Sequence, residues 1–128
     1  MTKTMYEMVK DFHVAFEQRV AESPELPDEA ERTLRMKLLI EEFEEYLAAE
    51  ADDDIIEIAD ALADLIYIAC GTAVSYGIPL DALYSEVHRS NMAKLVDGKV
   101  IKNNLGKVVK PEGWTPPDIE GILKAHTK

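Results

Sequence analysis

Between Ile55 and Ala69 the only polar side chains are Glu57, Asp60, Asp64 and Tyr67. At 100° per residue all four fall within an arc of roughly 80° of a helix, leaving the rest of the circumference to Ile, Leu and Ala. A helix apolar on most sides is a buried helix. Carboxylates lined up on it repel one another and lose hydration, so something cationic must sit beside them. Two kinds of chemistry answer that need. One is a set of ion pairs with Lys or Arg, or a wet groove. The other is a hard divalent cation, Mg²⁺ or Mn²⁺, which prefers carboxylate oxygen and keeps bound water.

A second acidic set, Glu41-Glu42-Phe43-Glu44-Glu45, lies upstream. Taking Glu41 as zero, Glu45 falls near 40° and Glu42 near 100°, with Met36, Leu39, Ile40, Phe43 and Leu47 on the other side. An acidic face on a surface helix is ordinary, and Glu44 and Glu50 fit that description. Leu34 and Leu38, however, continue the stripe of Glu41 and Glu45, so that side is at least partly covered. Two adjacent antiparallel helices, each acidic near its middle, would form a box of four to six carboxylates. Downstream, Arg89, Asn91 and Lys94 end an apolar-periodic run. They serve either as cations at a helix C-terminus or as contacts to an anion. Lys110 and Trp114 are weaker candidates, the indole for stacking on a base or for plugging a core edge. His13, His88 and His126 have no metal-ligand spacing, and the absence of Glu-x-x-His argues against a ferritin-like di-iron bundle.

The elements that hold these residues follow from periodicity and turn signals. Met5, Met8, Phe12, Phe16 and Val20 mark a first helix, ended by SPELPDE. Asp28, three residues before Glu31, reads as a capping box that opens a second helix from about 29 to 50. Asp52, Asp53 and Asp54 suit the positive end of a third, running to about Tyr76 and stopped by Gly77. Leu80, Leu83, Tyr84, Val87 and Met92 predict a fourth through about Lys94. Asp97-Gly98 in LVDGKVI predicts a small hairpin, and KPEGWTPPD an ordered loop before a short helix over 117–124. The expected fold is all-α, a four-helix core with a peripheral hairpin and a C-terminal loop and helix. It forms one domain over 1–128, with 1–95 as helical core and 96–128 as hairpin and C-terminal segment.

Composition narrows the partners. The chain has 128 residues and a formal net charge of −11, divided as −15 over residues 1–88 and +4 over 89–128. So acidic a chain is a poor binder of nucleic acid or anionic membrane through bulk electrostatics. It has no transmembrane-length apolar run and no signal-peptide core. The single Cys70 reads as a buried, reduced thiol, which places the protein in the cytoplasm. The second and third helices carry more apolar surface than one short bundle covers, which predicts a homodimer or homotetramer.

Glu41-Glu42-x-x-Glu45 followed by a second helical acidic pair resembles the EExxE and ExxD signature of the MazG-like, all-α nucleoside triphosphate pyrophosphohydrolases. Related branches are the phosphoribosyl-ATP pyrophosphohydrolases and the dimeric dUTPases. The resemblance continues through 64–71, Gly77-Ile78, 86–94 and 110–114, and so spans about residues 38–122. It implies cleavage between the α and β phosphates of a nucleotide, giving a monophosphate and pyrophosphate, with a role in nucleotide-pool cleaning. It implies Mg²⁺, or Mn²⁺, held by Glu42, Glu45, Asp60, Asp64 and Glu57, with Glu41 or Glu42 orienting or deprotonating the water. It also implies that Asn91 and Lys94 face the phosphates, beside Arg89, Lys110 and Trp114. One departure stands out. A literal ExxD is Glu57-Ile-Ala-Asp60, yet the apolar run that follows the motif's Asp here follows Asp64. In that register the motif's Glu falls on Ala61, and Asp60 or Glu57 must replace it. The alternatives are a phosphoribosyl-ATP substrate, or a non-catalytic acidic helical module that binds a basic partner.

Overall fold

A computed structural model of the chain describes residues 2–128. Five helices follow one another: α1 (Met5–Ala15), α2 (Glu29–Ala51), α3 (Ile55–Tyr76), α4 (Leu80–Met92) and α5 (Ile119–Ala125). The most extensive contact is between α2 and α3, with α1 packed on α3 and α4 chiefly against α5. None of the described helices is long and apolar enough to cross a membrane.

α1 opens with a reciprocal capping box. Thr4 Oγ1 accepts from the Glu7 N–H, and the Glu7 carboxylate accepts from the Thr4 N–H. The apolar stripe predicted this helix through Val20, but it stops at Ala15. Glu17 takes a left-handed φ of 56°, and the Gln18 N–H reaches back to the His13 carbonyl at 2.8 Å. That pattern terminates a helix. The chain then runs back along the end of α3, where Ala21 and Glu25 donate to the Val74 and Tyr76 carbonyls.

Asp28 caps α2 by accepting from the Glu31 N–H at 2.9 Å. The expected reciprocal bond is replaced by a tertiary one, because the Glu31 carboxylate accepts from Ser75 Oγ at 2.6 Å. A tight turn containing Asp53 at φ 51° reverses the chain, and Asp54 caps α3 through the Ile56 and Glu57 N–H groups. Small buried residues, Ala49 and Ala61, line the lower part of the α2–α3 seam. Gly77 ends α3 in the left-handed region at φ 69°, and a Cβ there would run into the Ser23 carbonyl. Backbone conformation and close approach thus both require glycine at this point.

The core is small: Val9, Cys70 and Val74, flanked by Tyr6, Val20 and Leu80. Met36, Ile40, Phe43 and Leu47, the apolar side of α2, are each about half exposed. The face of α2 turned to α3 instead carries Arg35, Leu38, Glu42 and Ala49.

The predicted hairpin is reduced to two isolated antiparallel bridges, Val96 with Lys99 and Lys102 with Val108. Its turn chemistry is as expected, since Asp97 and Gly98 both have positive φ, 50° and 75°. Nearly every residue of this arm is exposed, so no apolar face holds longer strands together. α5 begins at Ile119, two residues later than the sequence suggests, with Asp118 accepting from the Gly121 N–H.

Candidate metal centre

Antiparallel packing of α2 on α3 sets Glu42 and Glu45 opposite Asp64. One carboxylate oxygen from each lies within 4.8 Å of the others. Glu42 and Asp64 are half-buried and Glu45 is exposed. Glu42 Oε2 is fully buried and has no hydrogen-bond partner among the described residues. Burial, then the neighbouring charges of Glu45, Asp64 and Asp60, push the Glu42 carboxyl above its ordinary range. Asp64 is raised as well, first by burial and then by Asp60 and Glu45.

No ion pair relieves this repulsion. Among the described residues, Lys3 pairs with Asp11, Arg19 with Glu25, Arg89 with Glu86, Lys124 with Glu120 and Lys128 with Glu22. None of these touches the trio. Three hard oxygen donors within reach of one point, one of them a buried oxygen without a partner, fit a divalent cation such as Mg²⁺ or Mn²⁺.

The remaining acidic candidates surround the trio. Asp60 and Glu57 are exposed and, with Glu45 and Ala61, line a cavity of about 200 Å³ next to it. Ala61, only 3% exposed, is part of that cavity's wall. Glu41 is exposed and stands outside the trio. Tyr67, on the same stripe of α3, turns away to pack edge-on against Phe12, their centroids 5.7 Å apart.

Four of the five basic-segment candidates come together at the end of α4. Trp114 Nε1 donates to the Ser90 carbonyl at 2.6 Å. The Lys94 and Lys110 ammonium groups lie 5.5 and 5.0 Å from the indole centroid, a cation–π arrangement. Lys94 also donates to Asn91 Oδ1 at 3.1 Å. The indole therefore gathers two cations on one side of α4. Arg89 is committed elsewhere, with Nε and Nη2 donating to Glu86 at 2.7 and 3.0 Å. Glu86 also accepts from the Asp118 N–H at 2.8 Å, which ties the start of α5 to α4. The bond from Arg89 and that backbone N–H hold the Glu86 carboxyl down to about 2. Among the described residues, no hydrogen bond or ion pair joins this basic group to the carboxylate trio.

Sequence reasoning passed over Arg35 and weighed His13 only as a metal ligand, setting it aside; they are 4% and 2% exposed. The available signal was that Arg35 precedes Glu42 by two helical turns on the same face.

A sequence model described as phosphoribosyl-ATP pyrophosphohydrolase matches residues 9–91. The match takes in α2 and α3 whole, with every acidic candidate, and extends to Asn91. No curated protein matches the chain.

Proposed function

The chain belongs to the phosphoribosyl-ATP pyrophosphohydrolase family, and on that premise we propose that it is a Mg²⁺-dependent nucleoside triphosphate pyrophosphohydrolase. It would cut between the α and β phosphates, releasing a monophosphate and pyrophosphate, as a nucleotide-pool cleaning enzyme of the cytoplasm. The observation that carries this reading is the Glu42, Glu45 and Asp64 trio, with Glu42 and Asp64 half-buried, mutually repulsive and, among the described residues, free of any Lys or Arg partner.

These three residues would hold the metal, with Asp60 or Glu57 supplying the carboxylate that Ala61 lacks. Bound Mg²⁺, or Mn²⁺, supplies Lewis-acid stabilisation of phosphate oxygens and a more acidic water. Glu41, exposed on α2 next to Glu42 in sequence, would orient or deprotonate the attacking water. Asn91, Lys94 and Lys110 offer donors to phosphate oxygens, and Trp114 holds the two lysines in register. Arg89 acts through Glu86 by fixing α4 and α5. The description of the matching family favours one specific second reading, in which the nucleotide is phosphoribosyl-ATP.

A homodimer or homotetramer is the proposed assembly. A folded monomer of 14.4 kDa exposes about 6,800 Å², whereas this chain exposes 9260 Å². The excess, roughly 2,400 Å², is on the scale of obligate subunit interfaces. The half-exposed apolar face of α2 is the main candidate to cover.

The test is a panel of nucleoside triphosphates and phosphoribosyl-ATP incubated with Mg²⁺ or Mn²⁺, with pyrophosphate and phosphate measured separately. Pyrophosphate release is expected. Phosphate alone would mean another bond is cut, and silence across the panel would favour a non-catalytic acidic module.

A further inference from the structure

Two helical turns before Glu42 on α2, Arg35 is buried beside His13 of α1, and each side chain has a ring or guanidinium nitrogen without a partner among the described residues. Arg35 Nε donates to Thr72 Oγ1 at 3.1 Å and Nη2 to the Ile68 carbonyl at 2.9 Å. Its third nitrogen, Nη1, has no partner among the described residues, and no carboxylate lies within ion-pair distance. Glu31, one turn away on α2, is turned to Ser75. Unlike Glu42 Oε2, neither Nη1 nor His13 Nε2 is fully buried, and both side chains line a cavity. The His13 Nδ1 is 2.8 Å from the Arg19 carbonyl. Because a carbonyl can only accept, Nδ1 carries the proton, and Nε2 of the neutral ring is a lone pair without a donor.

The two groups converge at Gly71. A Cβ on that residue would lie 3.0 Å from His13 Nε2 and 3.3 Å from Arg35 Cζ, and would collide with Arg35 Nη2. Glycine in the middle of a helix is disfavoured relative to alanine; here it leaves room for both side chains. They line a cavity of about 180 Å³ whose walls include Phe12, Tyr67, Leu38 and Ile68. Leu38 precedes Glu42 by one turn and Ile68 follows Asp64 by one turn, so the cavity adjoins the trio along both helices. The volume falls below the roughly 300–1,000 Å³ of sites for drug-sized ligands and suits a single planar ring system.

We propose that this cavity receives the nucleobase and selects a lactam edge, a carbonyl beside a ring N–H, as carried by uracil, thymine, hypoxanthine and guanine. Arg35 Nη1 donates to the base carbonyl and His13 Nε2 accepts from the ring N–H. Phe12 and Tyr67 supply the aromatic wall. Cytosine and adenine present the reverse edge, an amino donor beside a ring-nitrogen lone pair, which sets donor against donor at Arg35 and lone pair against lone pair at His13. Sites that leave buried polar groups unpaired reject the wrong partner strongly. The inference rests on the reading of the chain as a nucleotide hydrolase and adds the base to it.

The experiment titrates the intact protein with uridine, inosine, cytidine and adenosine at pH 8 in EDTA, following the His13 ring signals by NMR. Nucleosides carry no phosphate, so neither metal nor turnover enters the result. Uridine and inosine are expected to shift those signals at concentrations at least ten-fold lower than cytidine and adenosine. A His13→Phe variant, which keeps the volume and removes the acceptor, should lose that preference. Inosine and adenosine differ only at the edge in question, so their comparison in the native chain stands even if the variant does not fold. Equal affinity, a reversed order or no shift with any nucleoside would overturn the proposal. Lactam preference without pyrophosphate release from any triphosphate would leave the cavity standing and sink the hydrolase reading. Pyrophosphate release without any base preference would do the opposite.

Discussion

Glu42→Gln should give a protein that is more stable without metal and inactive with it. Glu42 repels both Glu45 and Asp64 across 4.8 Å or less. A pair of unit charges at that distance costs about 1 kcal/mol at the dielectric of water and about 3.5 kcal/mol at an effective value near 20. Glu45 is exposed and Glu42 and Asp64 are only half-buried, so the lower end applies to both pairs, and removing both repulsions is worth about 1–2 kcal/mol. The new amide can also donate to a neighbouring carboxylate, an option the buried Oε2 of the ionised Glu42 lacks. With an unfolding entropy of about 2.1 cal/mol/K per residue, the gain for a chain of this length is a Tm higher by about 4–7 °C. Losing a charged metal ligand should lower turnover by at least ~10²-fold. Thermal melts in EDTA and in millimolar Mg²⁺ or Mn²⁺, alongside a pyrophosphate-release assay, read both effects. The native chain should gain stability from metal while the variant gains little. A variant less stable than native in EDTA, or one that keeps native turnover, would refute the reasoning.

The raised carboxyls of Glu42 and Asp64 mean that the folded state holds those protons more tightly than the unfolded one, so metal-free stability should fall as pH rises from about 4 through their elevated values. Saturating Mg²⁺ should remove that fall, as melts between pH 4 and 8 would show. Glu86 works in the opposite sense: its contribution is present above the ordinary carboxylate range and is lost as pH falls through about 2. For the acidic motif, Asp64→Asn and Asp60→Asn should each abolish turnover while folding survives, and Glu57→Gln should be mild. Kinetics showing Glu57→Gln dead and Asp64→Asn active would assign the motif to Glu57 and Asp60. Phe43→Glu, on the half-exposed apolar face of α2, should split the assembly to monomers by light scattering. An unchanged mass would place the interface elsewhere.

The helices that carry the site were legible in the sequence because each is written twice, once in periodicity and once in its caps. Asp28, Asp54 and Gly77 stand at the ends the structure shows. The end of α1 was not legible. Phe16 and Val20 continue the apolar stripe perfectly well, and only the left-handed Glu17, stabilised by bonds back into the last turn, stops the helix. The turn at Asp97-Gly98 was readable from residue type, but strand length depends on a face to pack against, which that exposed arm lacks. α2 was ambiguous for a related reason. Its more apolar side is the one left half exposed, while the side holding Arg35 and Glu42 meets α3. Periodicity reports that a helix has two faces and cannot say which neighbour takes which. The acidic residues were identifiable as a group, but the selection of Glu42, Glu45 and Asp64 depends on how α2 and α3 align. The cavity of Arg35 and His13 needs three helices and a missing Cβ, which no local pattern records.

Direct titration with Mn²⁺, monitored by the electron paramagnetic resonance signal of the free ion, tests most plainly whether the carboxylate trio is a metal centre. The native chain is expected to quench the free signal at micromolar to sub-millimolar Mn²⁺, with Mg²⁺ competing, and Asp64→Asn and Glu42→Gln should bind at least ten-fold more weakly. A native chain that leaves Mn²⁺ free, or variants that bind it equally well, would contradict the account.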